Sequence, residues 1–157
     1  IGTIETREVD VLIAQQQLYL AQREYSRLEL EQKLSVHARS LPSEDLSSVL
    51  DQLERRGLLS AERVVEQIVR TRRARFGNRR ILHELKEKGI DEHLIHSIIP
   101  SLKETELEAA VRIWQKKFGL SPSNREERGK QMRFMMNRGF SIEVIQQVFS
   151  QAGEDNQ

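Results

Sequence analysis

The sequence predicts an all-α protein made of three tandem three-helix repeats, helix-turn-helix-like in form, and three observations carry that prediction. Apolar residues recur at helical spacing along nearly the whole chain, and no convincing period-2 run interrupts them. Residues 79–99 match 129–149 at a shift of 50: Leu85 falls on Met135, Gly89 on Gly139, Ile90 on Phe140 and Asp91 on Ser141, and Leu94, Ile95, Ile98 and Ile99 fall on Val144, Ile145, Val148 and Phe149. A looser third copy, LEQKL at 30–34 on ILHEL at 81–85 and SEDL at 43–46 on DEHL at 91–94, extends the pattern to the N-terminal third. The expected boundaries are 1–59, 60–102 and 103–153, with a frayed tail at 154–157.

Nine helices are expected. Val9, Leu12, Ile13, Tyr19 and Leu20 mark the first, and Leu28, Leu30 and Leu34 the second. Pro42 and Ser43 open a third, capped by Ser43, with Leu46, Val49, Leu50 and Leu53 on its apolar stripe and Gly57 as its stop. Ser60 caps a fourth, striped by Val64, Val65, Ile68 and Val69. Gly77-Asn78 breaks the pattern, and Ile81, Leu82 and Leu85 carry a fifth helix to Gly89. Asp91 caps a sixth through Leu94, Ile95, Ile98 and Ile99, ended by Pro100. Thr105 and Glu108 have capping-box spacing and lead a seventh through Leu107, Ala110, Val111, Trp114 and Phe118, before Pro122 interrupts. Asn124 and Glu127 start the eighth, with Met132, Met135 and Met136, and Ser141 caps the ninth, with Ile142, Val144, Ile145, Val148 and Phe149. The repeated Gly-apolar-cap corner has a physical form: a left-handed glycine ends one helix, the next residue folds back onto the last turn, and Asp or Ser caps the following helix.

Composition narrows the function classes. The chain has no cysteine, which excludes thiolate nucleophiles, disulfides and Cys-ligated metals. No apolar run reaches membrane-spanning length and no signal-peptide core is present near the start, so a soluble, cytoplasmic monomer is expected. The first residue is Ile, which suggests a trimmed start. No Gly-rich phosphate loop, nucleophile elbow or HExxH helix occurs, and the serines sit where caps are needed, so no catalytic residue, metal or cofactor is expected. His93 and His96 have ligand spacing but no third ligand, and read as surface histidines. Met132, Met135 and Trp114 read as core.

The charge pattern points to a partner. Basic and acidic residues nearly balance overall, 25 against 24, yet residues 61–100 hold 9 against 6, while residues 1–60 hold 7 against 10. The segment RTRRARFGNRR places Arg70, Arg72, Arg73, Arg75, Arg79 and Arg80 in a stretch with no acid between Glu66 and Glu84. Seventeen residues without an acid read as a patch that is not neutralised locally, and the planar guanidinium suits phosphate or carboxylate. Free N–H groups at the helix opened by Gly77-Asn78 would add to anion affinity, while Glu84 is expected to pair along its own helix with Arg80 and Lys88. Lys86 extends this side, and Lys116, Lys117, Arg125, Arg128, Lys130 and Arg133 form a weaker second cluster.

The stretches RARFGNRRILHELKEKGI, QMRFMMNRGFSIEVIQQVF and LERRGLLSAERV together, in order and with compatible spacing, resemble the RecX family of regulators of the RecA recombinase. The family's stretch of Gly, aromatic, Leu, acidic pair, basic and aromatic is matched only in part, by Gly57, Leu58, Leu59 and Arg63. Ser60 and Ala61 replace the acidic pair, and Val64 the last aromatic. The resemblance implies an elongated, curved, non-enzymatic protein that binds the RecA filament on single-stranded DNA, in or along its groove. It implies restraint of filament growth or promotion of disassembly, and hence of strand exchange, ATP hydrolysis and LexA cleavage in recombination, repair and the SOS response. Contact with DNA phosphates is a further possibility of the same reading. The residues themselves leave two alternatives: a DNA-reading helix-turn-helix regulator, opposed by Leu85 and Met135 where such motifs favour a small residue, and a helical scaffold that binds only protein. Charge reversal at Arg72, Arg73 and Arg79 is the variant that the filament reading selects.

Overall fold

The structure, a computed structural model, describes residues 11–15, 18, 23–37 and 43–155. Its helices are α1 (Arg27–His37), α2 (Ser43–Arg55), α3 (Ala61–Arg72), α4 (Asn78–Glu87), α5 (Glu92–Lys117), α6 (Arg125–Asn137) and α7 (Ile142–Asp155), and residues 11–15 are also helical. The chain divides into two compact units. One comprises residues 1–67 with 88–90, and the other residues 68–87 with 91–157.

In the first unit α1 and α2 pack on each other around Leu30, Leu34, Val49, Leu50, Leu53 and Leu59, joined by Val11 and Ala14. The stripe expected for the first helix is out of phase, since Leu12 is 58% exposed and Ile13 43%, whereas Val11 and Ala14 are buried. Val9, Tyr19, Leu20 and Pro42 lie outside the described residues.

Helix α1 opens with a capping box that the apolar stripe did not reveal. The Glu29 N–H donates to Ser26 Oγ at 3.1 Å, and the Ser26 N–H donates to Glu29 Oε1 at 3.1 Å. The other Glu29 oxygen accepts from Arg23 Nη2 and from Lys88 Nζ, each at 2.8 Å. Burial alone would push this carboxyl up, but the bonds from Lys88, the Ser26 N–H and Arg23 outweigh it and hold its pKa below the ordinary range. Arg27 beside it pairs with Asp51 and Glu54 of α2, at 2.7 and 3.1 Å.

In the second unit α5 packs against α4 and α7, and α6 packs against α7. Its core is Ala109, Ala110, Trp114, Met135, Phe140, Ile145, Val148 and Phe149, with Met132 and Met136 against it. The predicted core roles of Met132, Met135 and Trp114 therefore hold, and Trp114 Nε1 is satisfied by Gln131 Oε1 at 2.8 Å. The caps at Asp91, Asn124 and Ser141 form as expected, accepting from the N–H groups of His93, Glu127 and Val144. Gly89 and Gly139 adopt the expected left-handed conformation, at φ 75° and 96°.

The main correction lies in α5. The helix does not end at Pro100 but runs unbroken from Glu92 to Lys117, so the expected sixth and seventh helices are one. Proline already has a helical φ; its cost is the lost N–H and a clash with the preceding turn, about 3 kcal/mol. Burying a Leu or Ile side chain returns about 1.5–3 kcal/mol, and Ile95, Leu102 and Trp114 on either side of Pro100 are all buried. Packing therefore outweighs the local penalty. Thr105 is consequently mid-helix, its hydroxyl bonded back to the Ser101 and Leu102 carbonyls, and Glu108 bonds Arg112 rather than closing a capping box.

The turn before α4 meets the turn after α6 backbone to backbone. The Gly77 N–H donates to Arg138 O at 2.7 Å and the Arg79 N–H to Gly139 O at 3.1 Å. A Cβ on Gly77 would stand 2.5 Å from the Gly139 carbonyl and 2.6 Å from Phe140 N. Neither neighbour is a side chain that could swing away.

Two outcomes follow from this packing. Gly77→Ala should lower the urea midpoint by the equivalent of about 1–3 kcal/mol or more, the cost of overpacking against rigid neighbours. An unchanged midpoint would show that the two turns are not in contact. Glu29→Gln should destabilise the first unit at neutral pH. Because the folded pKa of Glu29 is depressed, its contribution exists above the unfolded carboxylate value, about 4.3, and disappears as pH falls through the lower folded value. Unfolding curves of wild type and variant should therefore converge in acid; a constant gap would exclude a role for the ionised carboxylate.

Candidate functional site

A groove of about 790 Å³ opens within the second unit. One side is contributed by the end of α3 and the turn after it, with Arg70, Arg73, Ala74 and Arg75. Facing them along α5 are Thr105, Glu108, Ala109, Arg112, Ile113, Lys116 and Lys117, and α6 closes one end with Phe134 and, just past its terminus, Arg138. From Thr105 to Lys116 these positions step by three and four, which keeps them on one helical face. Seven cations thus line a groove with a single carboxylate, Glu108, which is itself bonded to Arg112.

The six arginines of residues 70–80 part company here. Arg72 is not free: its Nε and Nη2 make a forked ion pair with Glu84 at 2.9 and 3.0 Å. The first acid after the acid-free run thus folds back to neutralise part of it, across twelve positions. This replaces the expected pairs of Glu84 with Arg80 and Lys88, since Lys88 is taken by Glu29. Arg73 is half-buried, and its Nη2 donates to Leu102 O at 2.6 Å and to Thr105 Oγ1 at 2.8 Å. Burial pushes its pKa down, with Glu106 pulling the other way, and its Nε and Nη1 are buried without a partner. Arg73 therefore carries donor capacity that no described residue satisfies.

Arg79 and Arg80 turn away to the end of α6. Arg80 Nη1 donates to Asn137 O at 3.0 Å and Arg79 Nη2 makes a long 3.5 Å contact with Met136 O, placing two cations on the negative end of that helix. Arg80 also lies over Phe76 at 4.4 Å. Arg70 and Arg75 remain, and neither has an ion pair among the described residues.

The expected anion site at the start of α4 is already filled. The Gly77 and Arg79 N–H groups bond the carbonyls of Arg138 and Gly139, and the Asn78 N–H donates to Glu106 Oε2 at 2.8 Å. Glu106 is buried, 8% exposed, so the chain's own carboxylate occupies the position at which an external anion was expected.

Of the second predicted cluster, Lys116 and Lys117 join Arg70, Arg73 and Arg75 in the groove, whereas Lys86, Arg125, Arg128, Lys130 and Arg133 do not line it. Arg128 lies over Phe149 at 5.1 Å. Arg112 and Arg138 are the groove cations that the sequence reading missed. Arg112 was hidden by the i,i+4 partner Glu108, and Arg138 stands in a corner read only for its glycine. Lys117 and Arg138 are held over the Phe134 ring, at 5.4 and 5.2 Å. His93 and His96 are exposed, and among the described residues no group of three or more His, Cys, Asp or Glu could hold a metal ion. No described helix is long and apolar enough to cross a membrane.

Comparison with known proteins supplies a second, independent line. Residues 62–97 match the family model described as the second three-helix domain of RecX, and residues 104–149 that of the third three-helix domain. The chain is 43% identical to the regulatory protein RecX of Leptothrix cholodnii over 88% of its own length and 87% of that protein. It is 42% identical to the regulatory protein RecX of Herminiimonas arsenicoxydans, over 88% and 90%. The crystal structure of RecX from Lactobacillus salivarius superposes with a TM-score of 0.74 at 21% identity, over 94% of this chain and 99% of that one, a likeness of fold.

Because Glu106 serves both the Asn78 amide and the charge of Arg73, Glu106→Ala should destabilise the second unit by about 1–3 kcal/mol, the cost of leaving a buried donor unsatisfied. Glu106→Gln, which keeps an acceptor, should lose less. Equal urea midpoints for Glu106→Ala and wild type would remove Glu106 from the account of this turn.

Proposed function

The chain belongs to the RecX family, and from that premise we propose that it is a non-enzymatic regulator of the RecA recombinase that acts on the RecA filament on single-stranded DNA. In this reading it lies in or along the filament groove, blocks growth or promotes disassembly, and so restrains strand exchange, ATP hydrolysis and LexA cleavage.

The observation that carries the reading is the groove itself. Seven cations against one paired acid, in a protein of near-zero net charge, constitute a local field and not a general basicity. A nucleoprotein filament offers both kinds of anion such a groove can hold, phosphates and acidic side chains. The direct contacts are assigned to Arg70, Arg75, Lys116, Lys117 and Arg112, which combine exposure with a place on the groove wall. Arg72, Arg79 and Arg80 serve the fold of the same region.

The best variants therefore differ from those the bare sequence selects. Reversal at Arg72 or Arg73 would disturb the Glu84 pair or the Leu102 contact and confuse folding with function. Arg70→Glu, Arg75→Glu and Lys116→Glu combined should leave helicity and the urea midpoint close to wild type while abolishing inhibition of RecA ATPase on single-stranded DNA. Full inhibition by the folded triple variant would remove the groove from the mechanism, and unchanged hydrolysis with wild type across a wide titration would remove RecA regulation itself.

A further inference from the structure

We infer that the groove is built for an acidic, amphipathic protein segment and not for a nucleic-acid strand; this rests on the regulator reading above and names the partner chemistry of that same site. Interspersed among the cations are Ala74 on one side and Ala109 and Ile113 on the other, small or aliphatic side chains with no hydrogen-bonding group to read a base or a sugar. A surface of this kind accepts apolar side chains and carries no group that pairs with the edge of a base.

Aromatic platforms decide between the two occupants. Grooves that bind single strands combine positive charge with exposed rings on which successive bases stack. The groove has one aromatic lining residue, Phe134, and its ring is already engaged by Lys117 and Arg138, with Phe118 packed edge-on at a centroid distance of 5.4 Å. A base stacking there would compete with two of the groove's own cations for the ring.

The walls favour carboxylates. Five of the seven cations are arginines, whose forked donors match a carboxylate with two parallel bonds. The chain itself shows both levels of this chemistry, a forked pair between Arg72 and Glu84 beside the groove and a single bond from Arg112 to Glu108 within it. From residue 105 to 116 the face runs roughly 17 Å at 1.5 Å per residue, the length of a helix of about three turns. An amphipathic helix or strand with its apolar side on the alanines and its acids toward both walls fits that length and that charge, a mode in which a groove receives a partner's helix.

Fluorescence anisotropy on the full chain tests this, using a labelled helical peptide of about twelve residues with Leu on one face and Glu on its flanks, and a labelled oligothymidylate. At about 0.15 M salt the peptide should bind at least tenfold more tightly than the oligonucleotide. Arg70→Glu with Arg75→Glu should weaken the peptide by tenfold or more. Ile113→Ser, which changes the apolar lining and no charge, should weaken it severalfold, and Glu108→Gln, which removes the internal competitor, should tighten it. Binding of oligothymidylate as tight as the peptide, with the same response to the arginine variants, would make this a phosphate groove and overturn the inference, as would the absence of peptide binding. RecA ATPase measured on the same proteins separates the two levels. Inhibition lost in the arginine variants without peptide binding defeats only the occupant, whereas no inhibition by wild type defeats the regulator reading.

Discussion

Three consecutive backbone N–H groups, at Gly77, Asn78 and Arg79, anchor everything that follows from the basic segment. They bond in turn to Arg138 O, Glu106 Oε2 and Gly139 O, so the first turn of α4 is tied to the end of α6 and to the middle of α5 together. The tie needs two glycines for different reasons. Gly77 lets the backbones meet at a distance no Cβ would allow, and Gly139 takes the left-handed turn that presents its carbonyl. A helix N-terminus is a ready anion site, and here it is spent on holding helices together.

Electrostatics in this region consist of a division of labour among like residues. A buried or half-buried cation needs partners to offset its desolvation; Arg72 has them in Glu84, whereas Arg73 is compensated only in part, by Leu102 O, Thr105 Oγ1 and the nearby Glu106. Arg79 and Arg80, both exposed, are turned toward helix-end carbonyls. What is left over, Arg70 and Arg75, faces the α5 row of Arg112, Lys116 and Lys117. The groove's charge is thus the remainder after the fold has taken what it needs. That is why the arginine run and the groove lining coincide only in part, at Arg70, Arg73 and Arg75.

The continuity of α5 gives the groove one of its walls and its rigidity. Had Pro100 ended the helix, Thr105 would have been a cap and Leu102 a loop residue. Both are instead fixed points that grip Arg73. Local propensity argued for a stop, and the burial of Ile95, Leu102, Ala110 and Trp114 argued for continuation by a larger margin. The same competition explains the out-of-phase first helix, where Val11 and Ala14 face the core and the bulkier Leu12 and Ile13 do not.

The sequence by itself determined the helical class, the shift of 50 between its two clear repeats, the glycine corners at Gly89 and Gly139, the caps at Asp91, Asn124 and Ser141, and the core role of Met135 and Trp114. Each of these is a local rule read within a few residues: a period, a left-handed position, a side chain reaching its own helix. The capping box of Ser26 and Glu29 was legible by the same rule and was passed over. Only the tertiary structure decided which cations act together. Arg112 and Arg138 join Arg70 and Arg75 across helices, Glu84 returns to Arg72, and Glu106 crosses to Asn78. Charge acts through space and is cancelled by whichever opposite group folding brings near. Its sign along the chain is therefore a property of sequence, and its availability to a partner is a property of the packed fold.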